Sequence, residues 1–323
     1  MILNEFSIID LLSDLTSDHP CLIKGIGDDT AVIKANEDFN YLVSVDSFTE
    51  KVHFNKRTMS PYDLGYKVLA ANVSDMIAMG GEAQFYLLSL GLPETINEDF
   101  ILAFKEGLNQ FSKEAQIILI GGDTVTSDHL SISVTMIGRV KKDLIRYRHL
   151  AKEGDYVFVT GSLGKSAYGL DQLLNQDKQS SSFIKEHQQP MIRLQFPKAS
   201  NAFKRIALND ISDGIANELN EIAEASSVSI TIKEELLPIH TKIKALSADK
   251  KEQFTLYGGE DFELVGTIDP TDFDELVARC EQVNIPVTKI GRVSYNEKGK
   301  SNVYLVKNGK KVKLNKDGYT HLK

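Results

Sequence analysis

Cysteine is scarce in this chain. Cys21 and Cys280 are the only two, they stand near opposite ends of the 323 residues, and neither belongs to a CxxC pair. That argues against a cysteine-based zinc site or a disulfide framework and suits a reducing compartment. Positive charge is also in deficit: 37 Lys and Arg against 45 Asp and Glu leave a net charge of −8. A general nucleic-acid binder would show a basic surface instead. No apolar run approaches the roughly 18 residues that a membrane span needs. The first residues, Met1-Ile2-Leu3-Asn4-Glu5-Phe6, put no basic region ahead of an apolar one and do not read as a signal peptide. The expectation is a cytoplasmic protein with neither nucleic acid nor membrane as partner. A P-loop is missing too. Gly161-Ser162-Leu163-Gly164-Lys165-Ser166 ends like one, but GxxxxGK[ST] would need glycine at position 159, which is Val159. No Ser/His/Asp or Cys/His arrangement stands out for covalent catalysis.

Acidic turns are what the chain does have. Gly25-Ile26-Gly27-Asp28-Asp29 puts two carboxylates on a glycine-rich bend. Four further Asp-bearing segments follow: Ser44-Val45-Asp46-Ser47, Asn72-Val73-Ser74-Asp75, Gly121-Gly122-Asp123-Thr124 and Asp210-Ile211-Ser212-Asp213-Gly214. Any one of them could be a cap or a turn. Together they suit Mg²⁺, which takes one or two carboxylates from the protein and the rest from phosphates and water. An acidic protein that handles phosphates must bring cations with it.

The length suits about two domains. The polar stretch 141–155 reads as their boundary, giving domains 1–145 and 146–323. In the first, helices are expected over 5–16, 61–79 and 97–114, with strands over 41–45, 85–92, 117–120 and 130–140. Ser60 is the expected N-cap of the second helix, with Pro61 at its first position. The strand ending at Asp46 and the one ending before Gly121-Gly122-Asp123 would present their acids at strand ends, where α/β folds place ligands. In the second domain, strands are expected over 156–160, 228–232, 262–268 and 287–293, and helices over 166–175 and 213–226. Residues 176–189, rich in Gln, Ser and Lys, read as a mobile surface segment. Arg146 and Arg148, on either side of Tyr147, read as a nucleotide-phosphate clamp or a solvated linker. Tyr257-Gly258-Gly259-Glu260-Asp261-Phe262 is a second acidic glycine turn, and His53 lies close enough to Asp46 to share its site.

Taken in order, these segments resemble the thiamine-monophosphate kinases. That family lies in the superfamily of aminoimidazole ribonucleotide synthetase, selenophosphate synthetase and the hydrogenase-maturation dehydratase. The resemblance rests on GIGDDTAV (25–32), SVDSFTEKVHF (44–54), ANVSDMIAMG (71–80), GGDT (121–124), RHLAKEGD (148–155), DISDGI (210–215) and YGGEDFEL (257–264). It implies a two-domain α/β fold, with an N-terminal sheet that pairs with a second copy in a homodimer. It implies transfer of the ATP γ-phosphoryl group to thiamine monophosphate, with several Mg²⁺ ions. By the same resemblance Asp29, Asp46, Asp75, Asp123, Asp210 and Asp213 hold metal, with Asp28 beside them. Gly122, Asp123, Arg148 and Ser212 contact ATP; His53, Glu260 and Tyr319 face thiamine monophosphate. Two positions depart from the family pattern. Val45 stands where a hydroxyl residue is common, and Arg148-His149-Leu150-Ala151 replaces Arg-Ser-Gly-Ala. No covalent nucleophile or general base is expected, because a phosphate oxygen is already ionised at neutral pH. The alternatives are a selenophosphate synthetase-like enzyme that would use Cys21, and a non-catalytic ATP-binding protein.

Overall fold

The structure is a computed structural model and describes residues 19–175, 181–295 and 300–319. The expected helix over 5–16 lies outside the described residues. The architecture is mixed α/β, built on two sheets. The first has six strands: β1 (Leu22–Lys24), β2 (Ala31–Lys34), β3 (Phe39–Thr49), β4 (Glu82–Leu92), β5 (Ile118–Thr126) and β6 (Ser131–Lys141). Their order is β1-β2-β3-β6-β4-β5, antiparallel except for the parallel pair β4 and β5. Two long helices cover one face, α1 (Pro61–Ala78) and α2 (Glu98–Ala115). Ser60 caps α1 by accepting from the Asp63 amide at 3.1 Å, and Pro61 opens it. The helix is buried over most of its length because it fills the space between the two halves of the molecule.

The second sheet has seven strands: β7 (Tyr156–Thr160), β8 (Ile206–Asp210), β9 (Ser229–Lys233), β10 (Leu264–Ile268), β11 (Val287–Ser294), β12 (Val303–Lys307) and β13 (Lys310–Leu314). Their order is β13-β12-β9-β11-β7-β10-β8. Among helices of eight or more residues, this half carries α3 (Lys165–Leu174), α4 (Ser181–Gln188), α5 (Ile215–Ala225), α6 (Ala248–Leu256) and α7 (Phe273–Glu281). Side chains alternate along each strand. Val157 and Val159 of β7 therefore join the core under α5, while Phe158 joins the core that continues to α1 and α2. A shared core thus couples the two halves.

Three expectations change. The segment 176–189 is not a loose surface stretch where it is described: 181–188 form α4, with Phe183 and His187 buried. Asp46 and Asp123 do not end strands; they lie within β3 and β5. The glycines before Asp123 make no turn. A Cβ on Gly122 would sit 1.9 Å from the Leu88 carbonyl oxygen, so glycine is there to let β5 approach β4. Strands β8, β12 and β13 and helices α6 and α7 carry no signal strong enough to be expected.

Candidate active site

Four segments converge on one cavity of about 400 Å³. Strand β3 brings Asp46, Ser47 and Phe48, and the turn after it brings Val52 and His53. Helix α1 brings Ala71 and Asp75, one helical turn apart on the same face. The end of β8 and the loop beyond bring Asp210, Ser212 and Asp213. The loop before β10 brings Gly259, Glu260 and Phe262. These last two loops run side by side: the Phe262 amide donates to the Ile211 carbonyl at 3.0 Å and the Glu260 amide to the Ser212 carbonyl at 2.7 Å. Ser166, Ala167 and Leu170 of α3, His187 of α4 and Tyr319 complete the wall.

One end of the cavity is a carboxylate cluster. Asp29, Asp75 and Asp210 each offer an oxygen, all within 4.8 Å of one another. Ser74 Oγ donates to Asp210 at 2.6 Å. Arg148 donates to Asp29 at 2.5 Å and pairs with Glu221 at 2.9 Å. Three crowded acids, of which only Asp29 is ion-paired to an arginine, resist ionisation. Burial pushes Asp29 up to about 6, and burial followed by the Asp29 charge pushes Asp210 up to about 8. Asp75 is raised well above its ordinary range by burial and by Asp46, Asp210 and Asp29; Asp46 is raised by burial. Oδ2 of Asp29 is buried without a hydrogen-bond partner in the described structure. An orphaned carboxylate oxygen beside two more acids fits a hard divalent cation, which takes oxygen ligands and removes the like-charge conflict.

The opposite end is built differently. Glu260 accepts from Lys67 Nζ at 3.0 Å, and His187 Nδ1 lies 3.5 Å from the same carboxylate. Burial alone would raise Glu260, but the charges facing it, Lys67 first, outweigh it and hold the carboxyl below its usual range. Asp261 turns away and accepts from the Gly164 and Ser166 amides at 2.6 and 3.1 Å. The glycine turn that resembles a P-loop thus has the amides opening α3 taken by a protein carboxylate. Glu263 is bound by Arg193 and by Thr160 Oγ1.

Some expected site residues lie elsewhere. Asp28 faces Lys24 at 3.4 Å and accepts from the Arg148 amide at 3.0 Å, outside the three-carboxylate cluster. Gly122 and Asp123 are exposed on the edge strand β5. Asp123 lies across from Ser89, Ser89 from Ser133, and Ser133 from Ser47. Three strand spacings, about 14 Å, therefore separate it from the cavity of its own chain. Arg146 is buried, donating to the Ser200 carbonyl at 2.8 Å, and clamps nothing in the cavity. Cys21 is exposed ahead of β1 and does not line the cavity. Lys67, Ser166 and His187 were not among the expected residues. Lys67 had a signal: it is the only charge between Asp63 and Asp75 of α1, in an otherwise apolar helix.

Two family domains match the chain: AIR synthase related protein, N-terminal domain, over residues 27–140, and AIR synthase related protein, C-terminal domain, over 152–303. The thiamine-monophosphate kinase of Bacillus subtilis (strain 168) is 45% identical to it, over 99% of this chain and 100% of that protein. The thiamine-monophosphate kinase of Haemophilus influenzae is 36% identical, over 92% and 91%. Among solved structures, AaThiL complexed with AMPPCP and TMP superposes with a TM-score of 0.84 at 32% identity, over 99% of this chain and 97% of that one.

Proposed function

The chain belongs to the AIR synthase related family and, within it, to the thiamine-monophosphate kinases, and from that premise we propose how its residues divide the work of phosphorylating thiamine monophosphate with ATP. The observation that carries the reading is the two-ended cavity: a cluster of buried acids at one end and a single ionised carboxylate among apolar side chains at the other. Asp29, Asp46, Asp75 and Asp210 would hold Mg²⁺, with Ser212 and Asp213 at the edge of the same cluster. Bound there, Mg²⁺ would supply the positive charge that lets two phosphate anions meet. Arg148 keeps Asp29 in place and enters the nucleotide end through it. His53, Glu260 and Tyr319 form the thiamine end. A phosphate oxygen of thiamine monophosphate then attacks the γ-phosphorus in line. The attacking oxygen carries its own charge, so no side chain has to remove a proton. What the chain contributes is positioning and a site whose charges are fixed beforehand.

The reading includes a homodimer. Strand β5 is exposed along its whole length and carries Ile118, Ile120 and Val125, each more than half exposed. Val45 adds 62% exposure on β3. An apolar edge strand invites pairing, and a second copy would cover it. Gly122 and Asp123, remote from the cavity of their own chain, would then approach the nucleotide end of the partner's. Light scattering should give twice the chain mass, and Ile120→Asp should give a single chain. The domain boundary at 145/146 and a cytoplasmic setting, where ATP is supplied, belong to the same proposal.

Incubation of the purified protein with ATP, Mg²⁺ and thiamine monophosphate, followed by chromatography, should yield thiamine diphosphate and ADP. Absence of thiamine diphosphate with all three present would overturn the reading.

A further inference from the structure

Helix α1 carries both ends of the cavity. Lys67, Ala71 and Asp75 are spaced by four, so they fall on one face. At 1.5 Å per residue, Lys67 and Asp75 stand about 12 Å apart along one rigid rod. Asp75 joins the carboxylate cluster. Lys67 has its side chain 1% exposed and donates to Glu260, whose own side chain is 29% exposed and faces the cavity.

The Glu260 loop is held under tension. Glu260 and Phe262 have φ of +63° and +47°, in the left-handed region that side chains other than glycine seldom adopt. Such a conformation persists where the surroundings over-determine it, and it clusters at ligand sites. Here the surroundings are the Ser212 carbonyl, the Lys67 ammonium and His187. Ser166, His187 and Glu260 look like a catalytic triad and are not one. Ser166 Oγ lies 3.0 Å and Glu260 3.5 Å from the same ring nitrogen, Nδ1, whereas a relay needs both ring nitrogens. Burial first, then Lys67, pulls His187 down to about 3, so the imidazole is neutral. It is a neutral wedge beside Glu260, held by its hydrogen bond to Ser166 Oγ.

We propose that Lys67 and His187 are positioning residues: they fix the Glu260 carboxylate, and through it they set the affinity for the cationic, nitrogen-bearing rings of thiamine monophosphate and not for ATP. The proposal rests on the kinase reading above. An ionised carboxylate with Val52, Ala167, Leu170, Phe262 and Tyr319 around it complements a positive or N–H-bearing ring. It repels a phosphate.

The test is steady-state kinetics on the full chain, varying thiamine monophosphate and ATP separately. Lys67→Met keeps the length and removes the charge; Glu260→Gln removes the acceptor charge. Each should raise KM for thiamine monophosphate by about tenfold or more, the usual worth of a hydrogen bond to a charged group, with KM for ATP unchanged. The double variant should be no worse than Glu260→Gln alone, because the lysine acts through the glutamate. Lys67→Arg should recover most of the lost affinity, and His187→Gln should move KM in the same direction as Lys67→Met. An unchanged KM for thiamine monophosphate in Lys67→Met, an equal rise in KM for ATP, or multiplying effects in the double variant would each overturn the proposal. A melting curve establishes that Lys67→Met is folded; if it is not, the Lys67→Arg and His187→Gln variants decide by the same two KM values. A wild-type chain that makes no thiamine diphosphate would instead sink the kinase reading itself.

Discussion

Two groups of acids stand at the two ends of the cavity, and they are partnered in opposite ways. Around the loop before β10, each carboxylate has a partner of its own: Glu260 has Lys67, Asp261 has two backbone amides, and Glu263 has Arg193 and Thr160. At the other end Asp29, Asp75 and Asp210 crowd within 4.8 Å, and among the described residues only Asp29 is ion-paired, to Arg148, which also binds Glu221. A partnered acid is a finished structural part, and it can orient a loop or a substrate. A crowd of acids short of cations is unfinished: burial first, and then the neighbouring carboxylates, raise the proton affinities of Asp29, Asp75 and Asp210, whereas Asp261, raised to about 7, owes this mainly to burial. The contrast assigns roles without reference to any bound molecule. The crowded end has the oxygen donors that a hard cation would take, and the partnered end presents Glu260 in a fixed place.

The contrast can be broken most directly at its crowded end. Asp210→Asn or Asp75→Asn should lower Mg²⁺-dependent turnover roughly a thousandfold, in the range of a lost electrostatic contact at a reacting centre. The metal-free variant should melt at a higher temperature than the wild type near neutral pH, since a neutral amide replaces a carboxyl that must hold a proton to stay buried in the cluster. A variant with near-normal turnover would remove the cluster from the reaction. At the partnered end the expected loss is of stability. Arg193→Met leaves Glu263 buried without its cation, both side chains being under 10% exposed. Such a break costs about 3–5 kcal/mol, readable from the urea midpoint.

A smaller effect comes from pH. In the unfolded chain the aspartates ionise near 3.8, but in the folded chain Asp29 keeps its proton to about 6 and Asp210 to about 8. The folded state therefore binds more protons over that window. The contribution of these groups to metal-free stability is greatest below about pH 4 and falls as the pH rises to about 8. Mg²⁺ competes with those protons, so it should raise the melting temperature more at pH 8.5 than at pH 5. An equal rise at both would show that the ion binds elsewhere. The smallest effect separates two neighbours in sequence. Asp28→Asn touches a carboxylate with a 1% exposed side chain that already has Lys24 and the Arg148 amide as partners, and because it lies outside the cluster it should cost the less turnover of the two. Asp29→Asn should cost far more. Similar losses in the two would erase the distinction between partnered and crowded acids.

Much of this was legible in the chain. Helix α1 was, since Ser60, Pro61 and a long apolar run are local signals. The convergence of Asp46, Asp75 and Asp210 was indicated by their motifs, though not their distances. Helix α4 was hidden because its Ser, Lys and Gln composition reads as surface, and only packing against α3 turns Phe183 and His187 inward. The glycines at 121 and 122 misled for a physical reason. Glycine permits both a turn and a close approach of strands, and only the register with β4 distinguishes them.

By itself the sequence determined the inventory: which acids are present, on which kinds of segment, and the family to which their order belongs. Tertiary structure alone decided which charges meet. Asp28 and Asp29 are adjacent in the chain, yet one is partnered outside the three-carboxylate cluster and the other belongs to it. Lys67 and Glu260 are 193 positions apart and share a hydrogen bond. Asp123 carries a site motif and stands about 14 Å from the cavity of its own chain. Backbone preferences are set by near neighbours. The charge state and role of a buried carboxylate depend on desolvation and on whichever cation long-range folding brings beside it.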